Sequence, residues 1–192
     1  NNIEGDSLMS RTKTIFKEDI LKAAQKFIVE KSVGELTARA LSKYMNISTQ
    51  PLYAEFTNMA SLKKELFTNI YKELEEHIYN KKTHEDPIIN ISLNYINFAC
   101  NNPQLFKTIY LEKHGDTDTS ITEFSYHLFR QTIKDNPVYS NLSDKKLNTL
   151  LTATWVISTG YANLIVSNVI SNSQDDIIDF LKLTIKEILE SK

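Results

Sequence analysis

The chain has 192 residues, of which 41% are hydrophobic, 24% charged and 10% aromatic. This is the composition of an ordinary globular protein, which excludes a disordered, collagen-like or mucin-like chain. With only 4 Gly and 4 Pro, long segments run without a helix-breaking residue, which favours an all-α fold over many short strands. The single cysteine, Cys100, cannot form an intrachain disulfide and fits a reducing cytoplasm.

The net charge of −2 is unevenly distributed along the chain. Residues 10–60 carry eight Lys and Arg against five Asp and Glu, whereas residues 61–192 carry fourteen against seventeen. A basic segment is the usual electrostatic footprint of a nucleic-acid contact, although a surplus of this size also arises by chance. The 19 Lys against 3 Arg are typical of an AT-rich bacterial genome.

Two amphipathic helices are predicted near the N-terminus. The first spans 17–31, with apolar residues at i, i+3, i+4, i+7 and i+8, and Gly34 follows as a stop signal. The second begins after Thr37, a good N-cap, and ends at Met45. Asn46 tolerates the left-handed conformation that a tight turn requires, so another helix can follow directly.

The third predicted helix is short and spans about 48–56, with Pro51 in its first turn. A short helix after a tight turn is the arrangement that places a recognition helix in the major groove of DNA. Gln50 can pair with adenine, and the methyl group of Thr49 can pack on a thymine methyl. The other predicted contacts are to phosphates, with Arg39 able to reach either a phosphate or a guanine. The predicted DNA-contacting residues are Thr37, Arg39, Lys43, Ser48, Thr49, Gln50, Tyr53 and Lys63.

Each of these side chains alone would more often be an ordinary solvated surface residue. The prediction depends on their joint placement above a small apolar core of Leu41, Ile47, Leu52 and Phe56.

Residues 37–56 also carry a denser pattern: Thr opens the second helix, an apolar residue follows four positions later, and a tight turn precedes Leu-Tyr and Phe. This pattern resembles the DNA-binding signature of TetR-family transcriptional regulators, without a gap, and the detailed match covers about 17–66. Asn46 stands where the family usually has a turn glycine. Ser42 stands at a position in the second helix where a small residue is usual, and both residues are physically acceptable there. Met59 stands where a phosphate-contacting Lys is common, and Lys63 or Lys64, a turn later, is predicted to take over that contact. The matching positions are Thr37, Leu41, Ile47, Ser48, Leu52, Tyr53, Phe56 and Leu62.

The resemblance implies an N-terminal three-helix helix-turn-helix DNA-binding domain, placed at 10–58, and a C-terminal helical ligand-binding and dimerisation domain, placed at 59–192. It also implies a cytoplasmic homodimer that binds a palindromic double-stranded operator. Such a protein is expected to be a repressor of transcription that a small apolar ligand releases from DNA. An alternative reading is a helical ligand-binding or protein-interaction module without DNA binding; another is an activator or architectural DNA binder.

Beyond residue 58, apolar periodicity predicts only helices and short polar connections. A long helix is expected at 59–80, and Pro87, Pro103 and Pro137 are expected at or just before helix starts. A loop is predicted at 114–118. The inner row of the long helix is predicted to be Leu62, Leu66, Ile70, Leu74 and Ile78. The remaining helices are expected near 88–101, 103–114, 119–135, 144–171 and 174–190.

Aromatic residues accumulate in the middle helices, where they form either a plain core or a mostly apolar ligand pocket with a few polar groups. Gly160 is expected to permit close approach at this pocket. The predicted pocket residues are Asn94, Phe98, Phe106, Tyr110, Phe124, His127, Trp155 and Thr159.

The last helix has an apolar row broad enough to contact more than one partner element. We therefore predict a dimer interface there, with inward packing of the row as the alternative. The row consists of Ile177, Leu181, Ile185 and Ile188.

Residues 147–174 form an uncharged stretch of 28 residues, longer than a membrane-spanning helix requires. Thirteen of them are Ser, Thr, Asn or Gln, which favours a helix buried in protein. No enzyme, cofactor or metal is predicted, because the four His are scattered and the sequence has no His-Glu-x-x-His motif, paired Cys or Gly-rich phosphate loop.

Overall fold

The computed structural model describes residues 15–111, 121–171 and 173–191. Within these ranges the chain is all-α, as predicted, with nine α-helices and no strand. The fourth helix continues directly into a π-helical turn, Glu75–Tyr79, and the sixth into another, Lys107–Leu111. The helices are α1 (Lys17–Glu30), α2 (Ala38–Met45), α3 (Gln50–Glu55), α4 (Met59–Leu74), α5 (Pro87–Asn101), α6 (Pro103–Phe106), α7 (Ile121–Lys134), α8 (Asp144–Val166) and α9 (Gln174–Glu190).

The helix α5 lies at the centre of the C-terminal body. It packs against α7, α8 and α9, and most of its side chains are buried, which explains why its sequence is apolar on nearly every face. The predicted inner row of α4 is buried from Leu62 through Leu74, while the side chain of Ile78 lies outside the described part of the chain. The predicted loop at 114–118 lies outside it as well.

Several predicted helix boundaries differ from the structure, three of them in the second half of the chain. The segment predicted at 103–114 is α-helical only as far as Phe106 and then widens into its π-helical turn. The helix α8 ends at Val166, because Asn168 adopts a left-handed conformation with φ 56°. Pro137 does not begin a helix: it lies in a turn, and α8 starts only after Ser143, whose hydroxyl accepts the N–H of Lys146 at 3.3 Å.

By length and composition alone, α8 could cross a membrane. Its buried face, however, packs on α5 and carries hydroxyl groups that bond to the helix backbone. Thr154 donates to the carbonyl of Leu150 at 2.8 Å, and Ser158 donates to the carbonyl of Thr154 at 2.7 Å. These bonds satisfy hydroxyl groups that are buried on the side of α8 facing α5.

Candidate nucleic-acid interface and effector site

A small apolar core holds α2 and α3 against α1. Leu41 and Leu52 are 0% and 1% exposed, and Phe56 is buried with them. The ammonium group of Lys17 lies 5.3 Å from the centre of the Phe56 ring and 2.6 Å from the carboxylate of Glu65, which ties the start of α1 to α4. Packing against α1 and α2, together with the ion pair from Lys17 to α4, thus fixes the position of α3.

The turn between α2 and α3 has the geometry that the sequence indicated. The hydroxyl of Thr37 accepts the N–H of Ala40 at 3.2 Å and caps α2. Asn46 adopts φ 54° and ψ 48°, and the N–H of Ile47 donates to the carbonyl of Ser42 at 2.9 Å. This left-handed cap ends α2 abruptly and redirects the chain.

The helix α3 presents a polar end to solvent. It begins at Gln50, two residues later than predicted, because Thr49 occupies the N-cap position and Ser48 precedes the helix. Gln50 is exposed and Tyr53 is 56% exposed, while Leu52 on the opposite side is buried. One face of a single short helix is therefore anchored and the other is free to contact a partner.

The structure places most of the predicted DNA-contacting residues at the surface. Thr49 is half-buried, and so is Lys63, whose ammonium group donates to the carbonyl of Val33 at 3.3 Å. That bond directs Lys63 toward the segment before α2. The exposed members of the predicted set are Thr37, Arg39, Lys43, Ser48, Gln50 and Tyr53.

Sequence reasoning missed one contact that orients α2. Tyr44 packs edge-on against Phe27, with ring centres 5.4 Å apart, and its hydroxyl donates to the Glu30 carboxylate at 3.0 Å. The Glu30 carboxylate raises the pKa of the Tyr44 phenol through this bond. No sequence pattern indicated this pair, because its partners lie on different helices.

Three of the predicted pocket residues meet in one aromatic cluster in the C-terminal body. The Tyr95 ring lies edge-on to Phe106 at 5.9 Å and to Tyr110 at 5.3 Å, and Phe98 contacts Phe106 at 6.4 Å. This cluster is well packed, so its members act at least as core residues.

A hydrogen-bonded chain of hydroxyl groups runs beside the cluster. The Tyr110 hydroxyl lies 2.7 Å from the hydroxyls of both Tyr79 and Ser125. Burial raises the pKa of Tyr79 to about 12 and raises those of Tyr95 and Tyr110 as well, because a phenolate would lose its hydration there.

The other predicted pocket residues lie in separate surroundings. Asn94 is buried, but its amide donates to the carbonyl of Lys81 at 2.6 Å and its carbonyl accepts from Thr83 at 2.9 Å, so it fastens the segment before α5. Phe124 stacks on Tyr71 of α4 at 5.1 Å. His127 is exposed, so its imidazole does not join the aromatic cluster.

Two residues of α8 have polar atoms that are buried without a hydrogen-bond partner in the described structure. These atoms are Nε1 of Trp155 and Oγ1 of Thr159. Tyr126 packs edge-on against Trp155 at 5.5 Å. Gly160, by contrast, does not make the close approach expected of it, since a Cβ atom built there meets nothing within 4 Å.

The apolar row predicted as a dimer interface faces inward, which was the alternative reading. Ile177, Leu181 and Ile185 are buried within the chain and Ile188 is half-buried, because this side of α9 packs on α8 and α5. The exposed apolar residues of the two last helices are instead Val156, Leu164, Phe180 and Leu183.

Contacts between α1 and the body join the two parts of the chain. The Thr108 hydroxyl donates to the carbonyl of Ile28 at 3.4 Å, and the Gln25 amide donates to the Glu73 carboxylate at 3.3 Å. Beside them, an open groove of about 430 Å³ lies between α1 and Leu105 of α6. Among the residues described, no group of three or more His, Cys, Asp or Glu is placed to hold a metal ion.

Comparison with known proteins identifies the fold. No protein-family profile and no curated protein matches the sequence. A solved structure of a TetR variant from Acinetobacter baumannii AYE, in complex with minocycline, superposes with a TM-score of 0.52 and 14% identity, over 93% of this chain and 100% of the other. A structure described as a fatty acid metabolism regulator of Clostridium perfringens gives 0.58 and 15%, over 90% and 99%. The chain therefore has the TetR fold, and the resemblance seen in residues 37–56 is confirmed at the level of the fold.

The left-handed turn provides a test of the local geometry. Asn46→Ala is expected to lower the free energy of unfolding by about 1 kcal/mol, since a Cβ without a compensating polar group disfavours φ 54°. Asn46→Gly, the control, is expected to leave stability unchanged or raise it. Denaturant titration measures both, and equal losses for the two variants would contradict the assigned conformation.

The buried tyrosines predict alkaline destabilisation. The folded state keeps phenolic protons that the unfolded chain releases near the ordinary pKa of 10.0. Stability is therefore complete below about pH 10 and falls toward about pH 12, by up to about 1.4 kcal/mol per pH unit for each tyrosine. Unfolding in urea at stepped pH measures the slope, and Tyr79→Phe should reduce it. A flat profile up to pH values of about 11.5 would rule out the buried, neutral phenols.

Proposed function

We propose that the chain is a DNA-binding transcriptional regulator, a homodimeric repressor that leaves its operator when a small apolar ligand binds. The observation that carries the proposal is the anchored α3, with Leu52 buried and Gln50 and Tyr53 exposed on the opposite side. The TetR fold of the whole chain supports it. We place the boundary between the DNA-binding part and the effector part near Asn58, which caps α4.

Base reading is assigned to the exposed end of α3. The side-chain amide of Gln50 can form two hydrogen bonds to adenine, and the methyl group of Thr49 can pack on the methyl group of thymine. Phosphate contacts are assigned to Arg39, Lys43 and Tyr53, which are exposed around that end. Lys63 is assigned a weaker part, because its ammonium group already bonds to the Val33 carbonyl.

The dimer interface is assigned to the outer faces of α8 and α9. Val156, Gly160 and Leu164 follow one another at intervals of four residues and so share one face of α8. On α9, Phe180 and Leu183 are 46% and 54% exposed. An exposed apolar face of this kind on two neighbouring helices suits pairing with a second copy into a four-helix bundle.

Release requires two states with different affinity for the operator. The helix α4 is suited to connect them, since its first turns pack on α1 while Tyr71, further along, stacks on Phe124 of the body. An effector that favours a different spacing of the two DNA-reading ends lowers operator affinity. The operator lowers effector affinity by the same factor, typically by about 1–3 kcal/mol.

Duplex binding across a salt series tests the DNA-binding proposal. The logarithm of the association constant is expected to fall with the logarithm of salt concentration, with a slope of about −0.9 for each phosphate neutralised. A weak affinity that does not change with salt would favour an interaction module without DNA binding.

Substitution of Gln50 tests base reading. Gln50→Ala is expected to cost about 1–3 kcal/mol at a selected operator and much less on random duplex. Gln131→Ala, at an exposed position of α7, is the matched control and should cost nothing. Tyr53→Phe should weaken binding to all sequences equally. Equal losses for Gln50→Ala on operator and random DNA would reassign Gln50 to the backbone.

Gly160 gives a sharp test of the dimer. Gly160→Leu should leave the monomer at least as stable, since its side chain enters open space and a helical glycine costs about 0.5–1 kcal/mol relative to alanine. The same leucine should obstruct close pairing of two α8 helices and shift sedimentation toward monomer. Gln131→Leu is the control. An unchanged dimer would place the interface elsewhere.

A further inference from the structure

Two unpaired polar atoms on α8 set a requirement for whatever fills the space beside them. The Trp155 indole N–H and the Thr159 hydroxyl are buried without a partner in the described part of the chain. Buried polar groups are nearly always paired with protein, water or ligand. Other hydroxyls of the same helix are satisfied, since Thr154 and Ser158 both donate to backbone carbonyls. The two unpaired atoms therefore differ from their neighbours.

The two atoms belong to residues four positions apart, so they lie on the same side of α8. That side is aromatic: Tyr126 packs edge-on against Trp155 at 5.5 Å. The Tyr95 phenol lies close to the Thr159 hydroxyl, and the interaction between them lowers the pKa of Tyr95 against the larger rise that burial causes. The Thr159 hydroxyl is nevertheless without a partner at hydrogen-bond geometry. The two donors are therefore flanked by aromatic rings.

Among the described residues, no buried side chain carries a charge that could balance an ionised ligand. Every buried polar side chain in the described residues is a hydroxyl or a carboxamide. A carboxylate or ammonium group placed there would lose its hydration without an ion pair in return, at a cost of several kcal/mol. The indole N–H can only donate a hydrogen bond, so its partner must be an acceptor.

We propose that the effector is an uncharged, largely apolar molecule whose carbonyl oxygen accepts hydrogen bonds from both Trp155 Nε1 and Thr159 Oγ1. A carbonyl oxygen has two lone pairs and can accept both bonds at once. The proposal rests on the proposed function, in which this region holds the effector, and adds the chemical class of that effector.

Calorimetric titration without DNA tests the proposal with three molecules of similar size: acetophenone, ethylbenzene and benzoate. The measured quantity is the dissociation constant of ethylbenzene divided by that of acetophenone. The same two molecules are compared in every variant. The difference in their hydrophobicity therefore cancels when the ratio of one variant is compared with that of another. Thr159→Val keeps the side-chain shape and removes its donor, whereas Trp155→Phe removes the indole N–H together with part of the ring; each variant is expected to lower the ratio about 3–10-fold. Benzoate is expected to bind most weakly.

Thr154→Val is the matched control, since its hydroxyl is buried on the same helix but bonds to the backbone. It should leave the ratio unchanged. Thr159→Val should leave thermal stability unchanged or raise it, because it replaces an unpaired hydroxyl with a methyl group. This readout confirms that the variant is folded.

An unchanged ratio in both donor variants, tightest binding of benzoate, or no binding of acetophenone would each overturn the proposal. Failure of the DNA-binding proposal would be seen separately, as a weak duplex affinity that does not change with salt. Even in that case, acetophenone binding that depends on Trp155 would still support the proposed chemistry of the ligand.

Discussion

The position of α3 depends on the burial of its apolar side against α1 and α2. Leu52 of α3 and Phe56 at its end are buried on this side, and the left-handed turn at Asn46 sets the direction of α3 relative to α2. A six-residue helix cannot be stable by itself in water, so this packing supplies nearly all of its order. The exposed side of α3 is consequently rigid at the point where the proposed base contacts lie, and a rigid reading surface loses little entropy on binding.

The same core continues into the body, so the first three helices are not a separate unit. The buried row of α4 runs from Leu62 to Leu74, and α4 packs on α1. The π-helical turn that follows brings Tyr79 to Tyr110. Packed cores do not deform continuously, so a change around Tyr110 would favour one discrete arrangement over another. This is the physical basis for the proposed release.

Three sides of α8 have three different environments, which explains its unusual composition. One side buries Leu151 and Ser158 against α5, and another carries the unpaired Trp155 and Thr159. The third, with Gly160 in open space, faces outward. From Leu147 to Val166 none of these sides carries a charged residue, and so the sequence there is apolar and hydroxyl-rich.

The sequence by itself determined the local features: helix periodicity, the Thr37 cap, the turn at Asn46 and the small apolar core that holds α3. These depend on interactions within a few residues, so a local pattern suffices to predict them. Only the tertiary structure decided what each apolar face contacts. The α9 row containing Leu181 packs inward, Gly160 borders open space, and His127 stays at the surface. Periodicity shows that a face is buried, whereas its partner is set by how distant helices pack.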